Sequence, residues 1–292
     1  MTGIIIADKP EGLTSFAVVR QIRRATGEKK IGHSGTLDPM ATGVLAVFLG
    51  RATRAIEFAM EGTKRYRARL HPGLVTDTQD TTGTILWQTD ASVSREQLEK
   101  VLPQFRGEIQ QVPPMFAALR HNGKRLYEIA REGKTVQRQP RTITIHSLIV
   151  AGEENGDFIL DVECSKGTYI RTLCNDIGEA LGCGACMAAL RRTGNGPFDI
   201  KNAHSLEQIL AAPEKCLLPV ETLFTDSPVL FCSREQERRL RNGADSDTDA
   251  QDGVYRVYSE EGEFLLLGRA EEGTLRTVKS FFETESEVAP RK

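Results

Sequence analysis

The sequence predicts an α+β fold built on a mixed, mostly antiparallel sheet flanked by helices, with a small β-rich unit at its end. Three observations lead there. Strand-like segments do not alternate strictly with long helical ones, which disfavours a doubly wound parallel sheet. Several segments alternate with period two, the pattern of a strand with one packed face. Beyond Thr225-Asp226-Ser227-Pro228, one short helical stretch and three short strand-like segments make up a compact unit.

The elements follow in order. Residues 3–7 read as a short buried strand ending at Lys9-Pro10. Residues 15–24 read as a helix, with Phe16, Val19 and Ile22 apolar and Gly27 after it. A glycine-rich turn over residues 32–39 precedes an apolar strand over 43–49. Tyr66, Ala68 and Leu70 alternate with Arg65, Arg67 and Arg69, so one face packs and the other is cationic. Ser94 with Gln97 forms a capping-box pattern before Leu98, Val101, Leu102 and Phe105. Val112-Pro113-Pro114 then breaks the chain. A short helix over 125–131 follows in a basic segment poor in apolar residues, which predicts a protrusion rather than core. Residues 142–148 and 158–164 alternate as strands, and 168–181 read as a helix stopped by Gly182. Near the end, 233–241 look helical, and 254–258, 264–269 and 274–282 look like strands.

Composition bounds the function. The chain has 292 residues, 39% hydrophobic and 27% charged, in the range of a globular protein. No apolar run approaches a membrane span. The first residues carry no basic start and no cleavage site, so a cytoplasmic location is expected. Six cysteines in a chain this long do not suggest a disulfide framework, and Cys183 and Cys186 have neither a redox context nor a second ligand pair. The net charge of -2 hides an uneven distribution. Lys64, Arg65, Arg67 and Arg69 cluster, as do Arg120, His121, Lys124, Arg125, Arg131, Lys134, Arg138 and Arg141. Each cluster alone reads as a solvated face; together they favour a polyanionic partner.

Candidate chemistry narrows quickly. Ser165-Lys166-Gly167-Thr168 reverses the order of a phosphate-binding P-loop, and Gly32-x-x-Gly35 is not a dinucleotide fingerprint. The five histidines show no helical ligand spacing, so neither a metal nor another cofactor is expected. What remains is one carboxylate in an unusual setting: Asp38, between Leu37 and Pro39, just before a buried strand. Locally, the residues favour a turn aspartate capping its own backbone, with a shielded reactive carboxylate as the other reading.

A resemblance shifts that balance. Asp8-Lys9-Pro10-x-Gly12-x-Thr14-Ser15 and Gly32-His33-Ser34-Gly35-Thr36-Leu37-Asp38-Pro39-x-Ala41-x-Gly43 resemble the first two motifs of TruB-type pseudouridine synthases. Ser34, where the family often has Thr, is a minor departure. Lys64-Arg65-Tyr66 resembles the family's tyrosine-bearing strand, and Thr76-Asp77-Thr78-x-Asp80-x-x-Gly83 follows as it does there. The run from Val112-Pro113-Pro114 through Leu126-Tyr127, Ala130-Arg131 and Gly133 resembles its tRNA-gripping insertion. Ser165-Lys166-Gly167-Thr168-Tyr169-Ile170-Arg171 resembles the third core motif, and Leu190-Arg191-Arg192 the late one. The likeness runs over about residues 3–193, and so many ordered motifs are specific.

The resemblance implies the pseudouridine synthase fold over residues 1–226, with an RNA-gripping insertion at about 110–141. It also implies a PUA-like domain over 227–283, leaving a frayed tail over 284–292. It implies a cofactor-free isomerase that converts uridine 55, in the T loop of tRNA, to pseudouridine on a flipped-out base. The T-arm stem-loop would suffice as partner, with no obligatory protein or guide RNA. Asp38 would be the reacting carboxylate, attacking C1′ or C6 or taking a ribose proton. A dry pocket penalises its charged form and a nearby cation favours it; Arg171 would be that cation. Tyr66 would stack on the uracil and handle the C5 proton. Tyr169 and Leu190 would border the base, and His33 would fill the space it leaves. Lys64 and Arg131 would hold RNA, and Lys9 would shape the pocket floor among the substrate-binding residues. Two alternatives stand beside this: a guide-RNA-dependent synthase of ribosomal RNA, and a non-catalytic RNA-binding or RNA-folding protein. Asp38, Tyr66, Tyr169 and Arg171 occurring together argue against the last.

Overall fold

The computed structural model describes residues 1–282. In chain order, the main elements of the larger unit are β1 (Gly3–Lys9), α1 (Ser15–Thr26), β2 (Thr42–Leu49), β3 (Lys64–Pro72), α2 (Arg95–Val101), β4 (Gly107–Gln111), α3 (Leu126–Arg131), β5 (Arg141–Glu154), β6 (Asp157–Cys164), α4 (Ile170–Leu181) and β7 (Ala185–Asn195). Capping explains several ends. The Thr14 hydroxyl accepts from Ala17 N to open α1, and Gly27 closes it in the left-handed region. The Ser94–Gln97 capping box forms in full at α2.

The sheet runs from a short edge strand at His204–Ser205 through β1, β2, β7, β3, β6, β5 and β4. Every neighbour along this path is antiparallel except two: His204–Ser205 beside β1, and β7 beside β2. The expected mixed, mostly antiparallel sheet with flanking helices is therefore what forms. β1 is buried on both faces, which is why it reads as an unbroken apolar run. Ile5 and Ala7 pack with Val18, Val19 and Ile22 of α1. Ile4 and Ile6 join Phe48, Phe198 and Phe224. α4 lays Ile170, Leu173 and Ile177 against Ala68, Leu70 and Leu160. Each buried Val, Leu, Ile or Phe side chain among these contributes about 1.5–3 kcal/mol.

Two expectations need correction. The helix expected from residue 168 begins at Ile170, so Tyr169 sits at its N-cap. β7, an eleven-residue strand in the middle of the sheet, was not expected at all. Its alternation is broken by register shifts between Met187 and Ala189 and between Arg192 and Gly194, and it buries an arginine.

The β-rich unit contains β8 (Val229–Phe231), α5 (Arg234–Arg241), β9 (Gly253–Tyr258), β10 (Phe264–Glu271) and β11 (Thr274–Ser280). These strands and Ser246–Asp247 form a five-stranded sheet with its own core around Leu240, Val257 and Leu265. The unit is joined to the larger one through Phe281, whose ring lies 5.8 Å from that of Phe224, and through an ion pair between Lys279 and Glu57. The tail expected over 284–292 lies outside the described residues. Among the described residues no helix is long and apolar enough to cross a membrane. All six cysteines are free thiols; Cys186 is buried in β7 and Cys183 donates to the Gly184 carbonyl.

Candidate active site

Asp38 stands on a loop held from both sides. Before it, the Leu37 N–H donates to Ser15 Oγ at 2.8 Å, and that hydroxyl donates back to the Leu37 carbonyl at 3.1 Å. Arg192 Nη2 donates to the Gly35 carbonyl and Asn195 Nδ2 to Ser34 Oγ. After it, Lys9 Nζ donates to the carbonyls of Pro10, Leu13 and Pro39 at 2.8, 2.6 and 3.2 Å. Among the described residues the Asp38 carboxylate accepts no backbone N–H, so it does not cap its own turn. It lies 3.0 Å from Arg171 Nε and is 38% exposed.

Arg171 is only 7% exposed and spends its whole guanidinium. Nη1 donates to the Thr78 carbonyl at 2.9 Å and Nη2 to the Phe116 carbonyl at 2.8 Å. Nε also lies 3.8 Å from the buried carboxylate of Asp80. Asp80 is itself engaged, accepting from Thr78 Oγ1, Thr82 N and Thr82 Oγ1. One planar cation thus ties the Asp38 loop, the 76–83 turn and the insertion together, a geometry that lysine cannot reproduce.

Tyr66 and Arg192 face each other across paired strands, and Arg192 pairs in turn with Gly43. A side chain at Gly43, which sits at φ +100°, would meet the Arg192 carbonyl 2.2 Å away, so only glycine admits this approach. Burial pushes the Tyr66 hydroxyl above its usual pKa, and the adjacent Arg192 guanidinium pulls it part of the way back. Tyr169 is likewise raised by burial, against the pull of Arg141 and Arg171. Its backbone is gripped by the Gln111 side chain, which accepts from Tyr169 N at 2.8 Å and donates to its carbonyl at 3.0 Å.

Two cavities meet at Asp38. The smaller, about 350 Å³, is lined by Asp38, Tyr66, Tyr169, Arg171, Leu190 and Arg192, among others. The larger, about 930 Å³, shares Thr36, Leu37, Asp38, Phe116–Ala118 and Arg171 and adds His33, Arg120, Arg125, Tyr127 and Arg131. His33 Nδ1 accepts from Gly35 N, and burial followed by Arg192 depresses the pKa of the ring, favouring neutral imidazole. Arg125 and Arg131 both lie over the Tyr127 ring, at 5.8 and 5.4 Å, which fixes two guanidinium groups on the insertion. The insertion spans the connection between β4 and β5, adjacent antiparallel strands. It is better anchored than its composition predicts, because Leu126 and Ile129 are buried.

Tyr66, Tyr169, Arg171 and Leu190 therefore converge on Asp38, with His33 and Arg131 in the adjoining cleft. The basic strand behaves otherwise. Arg65 pairs with Asp199, Arg67 with Asp161, and Arg69 with Asp157 and Glu154. Those three arginines do not line either cavity, because Tyr66 points into the smaller one and period two turns its neighbours to the opposite face. Lys64 lines the smaller cavity, yet its ammonium donates to the Met60 and Gly62 carbonyls, and burial pushes its pKa down to about 8. Lys9, also lowered to about 8 by burial, has no exposed surface and lines neither cavity. It supports the floor from behind rather than touching a ligand. Three contributors were missed as actors. Asp80 and Arg192 lie in recognised motifs but were given no role, and Gln111 carries no sequence signal. Among the described residues no group of three or more His, Cys, Asp or Glu could hold a metal ion.

Comparison with known proteins places the chain in a family. Residues 23–170 match the family model described as TruB family pseudouridylate synthase (N terminal domain), and residues 171–225 match that of the tRNA pseudouridylate synthase B C-terminal domain. The chain is 46% identical over 277 residues to tRNA pseudouridine synthase B of Syntrophotalea carbinolica, covering 92% of this chain and 89% of the relative. It is 43% identical over 293 residues to that of Clostridium perfringens, covering 97% and 100%. Among solved structures, a Cbf5-Nop10-Gar1 complex superposes with a TM-score of 0.73 at 28% identity, covering 96% of this chain and 85% of the matched one. The architecture is the pseudouridine synthase fold. The chain belongs to the TruB family of pseudouridylate synthases.

Proposed function

We propose that this chain isomerises uridine 55 in the T loop of tRNA to pseudouridine, with Asp38 as the reacting carboxylate. The observation that carries the reading is the Asp38–Arg171 pair, set where a small cavity adjoins a larger cleft bearing arginines. An enzyme acting on a stacked base must first take it out of the helix. The smaller cavity suits a flipped uracil, and the cleft suits the loop from which it comes. Arg120, Arg125 and Arg131, not the paired arginines of β3, would hold phosphates. The relatives named tRNA pseudouridine synthase B support tRNA as substrate and match this chain over nearly its whole length.

The reaction breaks the bond between uracil N1 and C1′, turns the base and joins C5 to C1′. Asp38 sits at the mouth of the cavity, where it reaches the sugar or the ring edge. Arg171 Nε, 3.0 Å away, fixes the position of the carboxylate. Tyr66 supplies a face for the ring, and its hydroxyl, beside Arg192, mediates the last proton transfer, taking the proton from C5 as it passes its own to solvent. Tyr66→Phe keeps the face and loses the hydroxyl. Turnover should then fall about 10²-fold or more, the usual scale of a lost proton-transfer group, with RNA affinity nearly unchanged. Parental turnover by this variant would leave Tyr66 as a platform only.

The deciding experiment is tritium release from C5-labelled uridine in a T-arm stem-loop, using the purified chain with no added protein or guide RNA. Multiple turnovers are expected, confined to the T-loop position. Binding should weaken with salt at about -0.7 in log–log slope per single-strand phosphate contact. A stem-loop that stays inert until a guide RNA or partner is supplied would favour the guide-dependent reading. RNA binding without any turnover would favour the non-catalytic one.

A further inference from the structure

Phe16 is 71% exposed, the most exposed large apolar side chain among the described residues. It sits in the first turn of α1, whose packing face is already supplied by Val18, Val19 and Ile22. Folding therefore gains little from it, and an isolated phenyl ring in water gains nothing. Its position is specific, however. Phe16 lines the larger cavity together with Thr14 and His33, on an element separate from the insertion that carries Arg120, Arg125, Tyr127 and Arg131.

We infer that Phe16 is a stacking platform for one RNA base beside the extruded uridine. The inference rests on the reading above, that an RNA loop occupies this cleft. A strand whose phosphates lie on the arginines of the insertion turns its bases away from them, toward the part of the lining supplied by other elements, and there Phe16 of α1 offers its exposed ring. Base–aromatic stacking tolerates any base, because every base has a π face. The pairing would hold the loop open around the gap that the uridine leaves. It is also separate from the chemistry, since Phe16 does not line the smaller cavity.

The test uses the full chain and a set of T-arm stem-loops, each with one abasic nucleotide at a different loop position. Phe16→Ala should weaken binding of the intact stem-loop about ten-fold, within the range of one lost stack. The loss should appear in KM rather than kcat, and Phe16→Tyr should restore it. At one abasic position the wild-type protein and Phe16→Ala should bind alike, because the partner base is already gone. Penalties that add at every position, or an intact stem-loop bound equally well by both proteins, would overturn the inference. A wild-type chain that fails to isomerise the intact stem-loop would instead overturn the functional reading on which it rests.

Discussion

Asp38→Asn should reduce turnover by about 10³-fold or more, the upper scale for a group that acts directly on the reacting atoms. The substitution keeps size and shape and removes the negative charge. Fold and loop should survive it, because the loop is held through its backbone and through neighbours rather than through the Asp38 carboxylate. Ser15 bonds both polar atoms of the Leu37 backbone, Lys9 holds the Pro39 carbonyl, and Arg192 holds that of Gly35. The asparagine carbonyl can still accept from Arg171 Nε, so the insertion should stay tied to the core. RNA affinity should remain within a few-fold, since phosphates are held elsewhere. Tritium release measures the first expectation and filter binding the second. Turnover within ten-fold of the parent, with reversion to Asp excluded by mass spectrometry, would remove Asp38 from the reacting role.

How far the site can be read in the sequence depends on where its interactions run. Asp38 was found through ordered motifs; its own neighbours favoured a turn cap. What makes it available is Arg171, which arrives from the first turn of a helix far along the chain. The arginines of β3 show the opposite failure. Period two correctly put them on one face, but a single strand's pattern does not reveal what the next strand offers. Arg67 lies directly across from Asp161 in the sheet, and the two neutralise each other. Central strand β7 escaped notice because its bulges disrupt alternation and because a buried arginine looks like surface. Arg192 is tolerated there because Val44 and Gly35 offer it carbonyls and Tyr66 stands alongside. The helix cap at Ser94 was legible because a cap is closed within three residues.

Arg171→Met should be nearly as damaging as the loss of Asp38, for a different reason. The side chain is almost fully buried and makes contacts to three separate segments: Asp38, the Thr78 carbonyl and the Phe116 carbonyl. Methionine fills similar space and satisfies none of them. Two partly buried carbonyls lose their donor, and two carboxylates lose the cation between them. The penalty should be about 3 kcal/mol of stability, the lower end for breaking a buried ion pair, because Asp38 is partly solvated. Turnover should fall by about 10²-fold or more as the carboxylate loses its fixed position. Arg171→Lys separates charge from shape. An ammonium can reach one of the three partners at a time, so activity should lie between parent and Arg171→Met. Hydrogen exchange supplies a readout that a purely local defect would not move: amides near Phe116 should exchange faster in both variants, since the insertion has lost its tie to α4. Parental turnover by Arg171→Met would show that Asp38 needs no cation. Unchanged exchange near Phe116 in an inactive variant would show that Arg171 serves the carboxylate alone and does not couple the insertion to it.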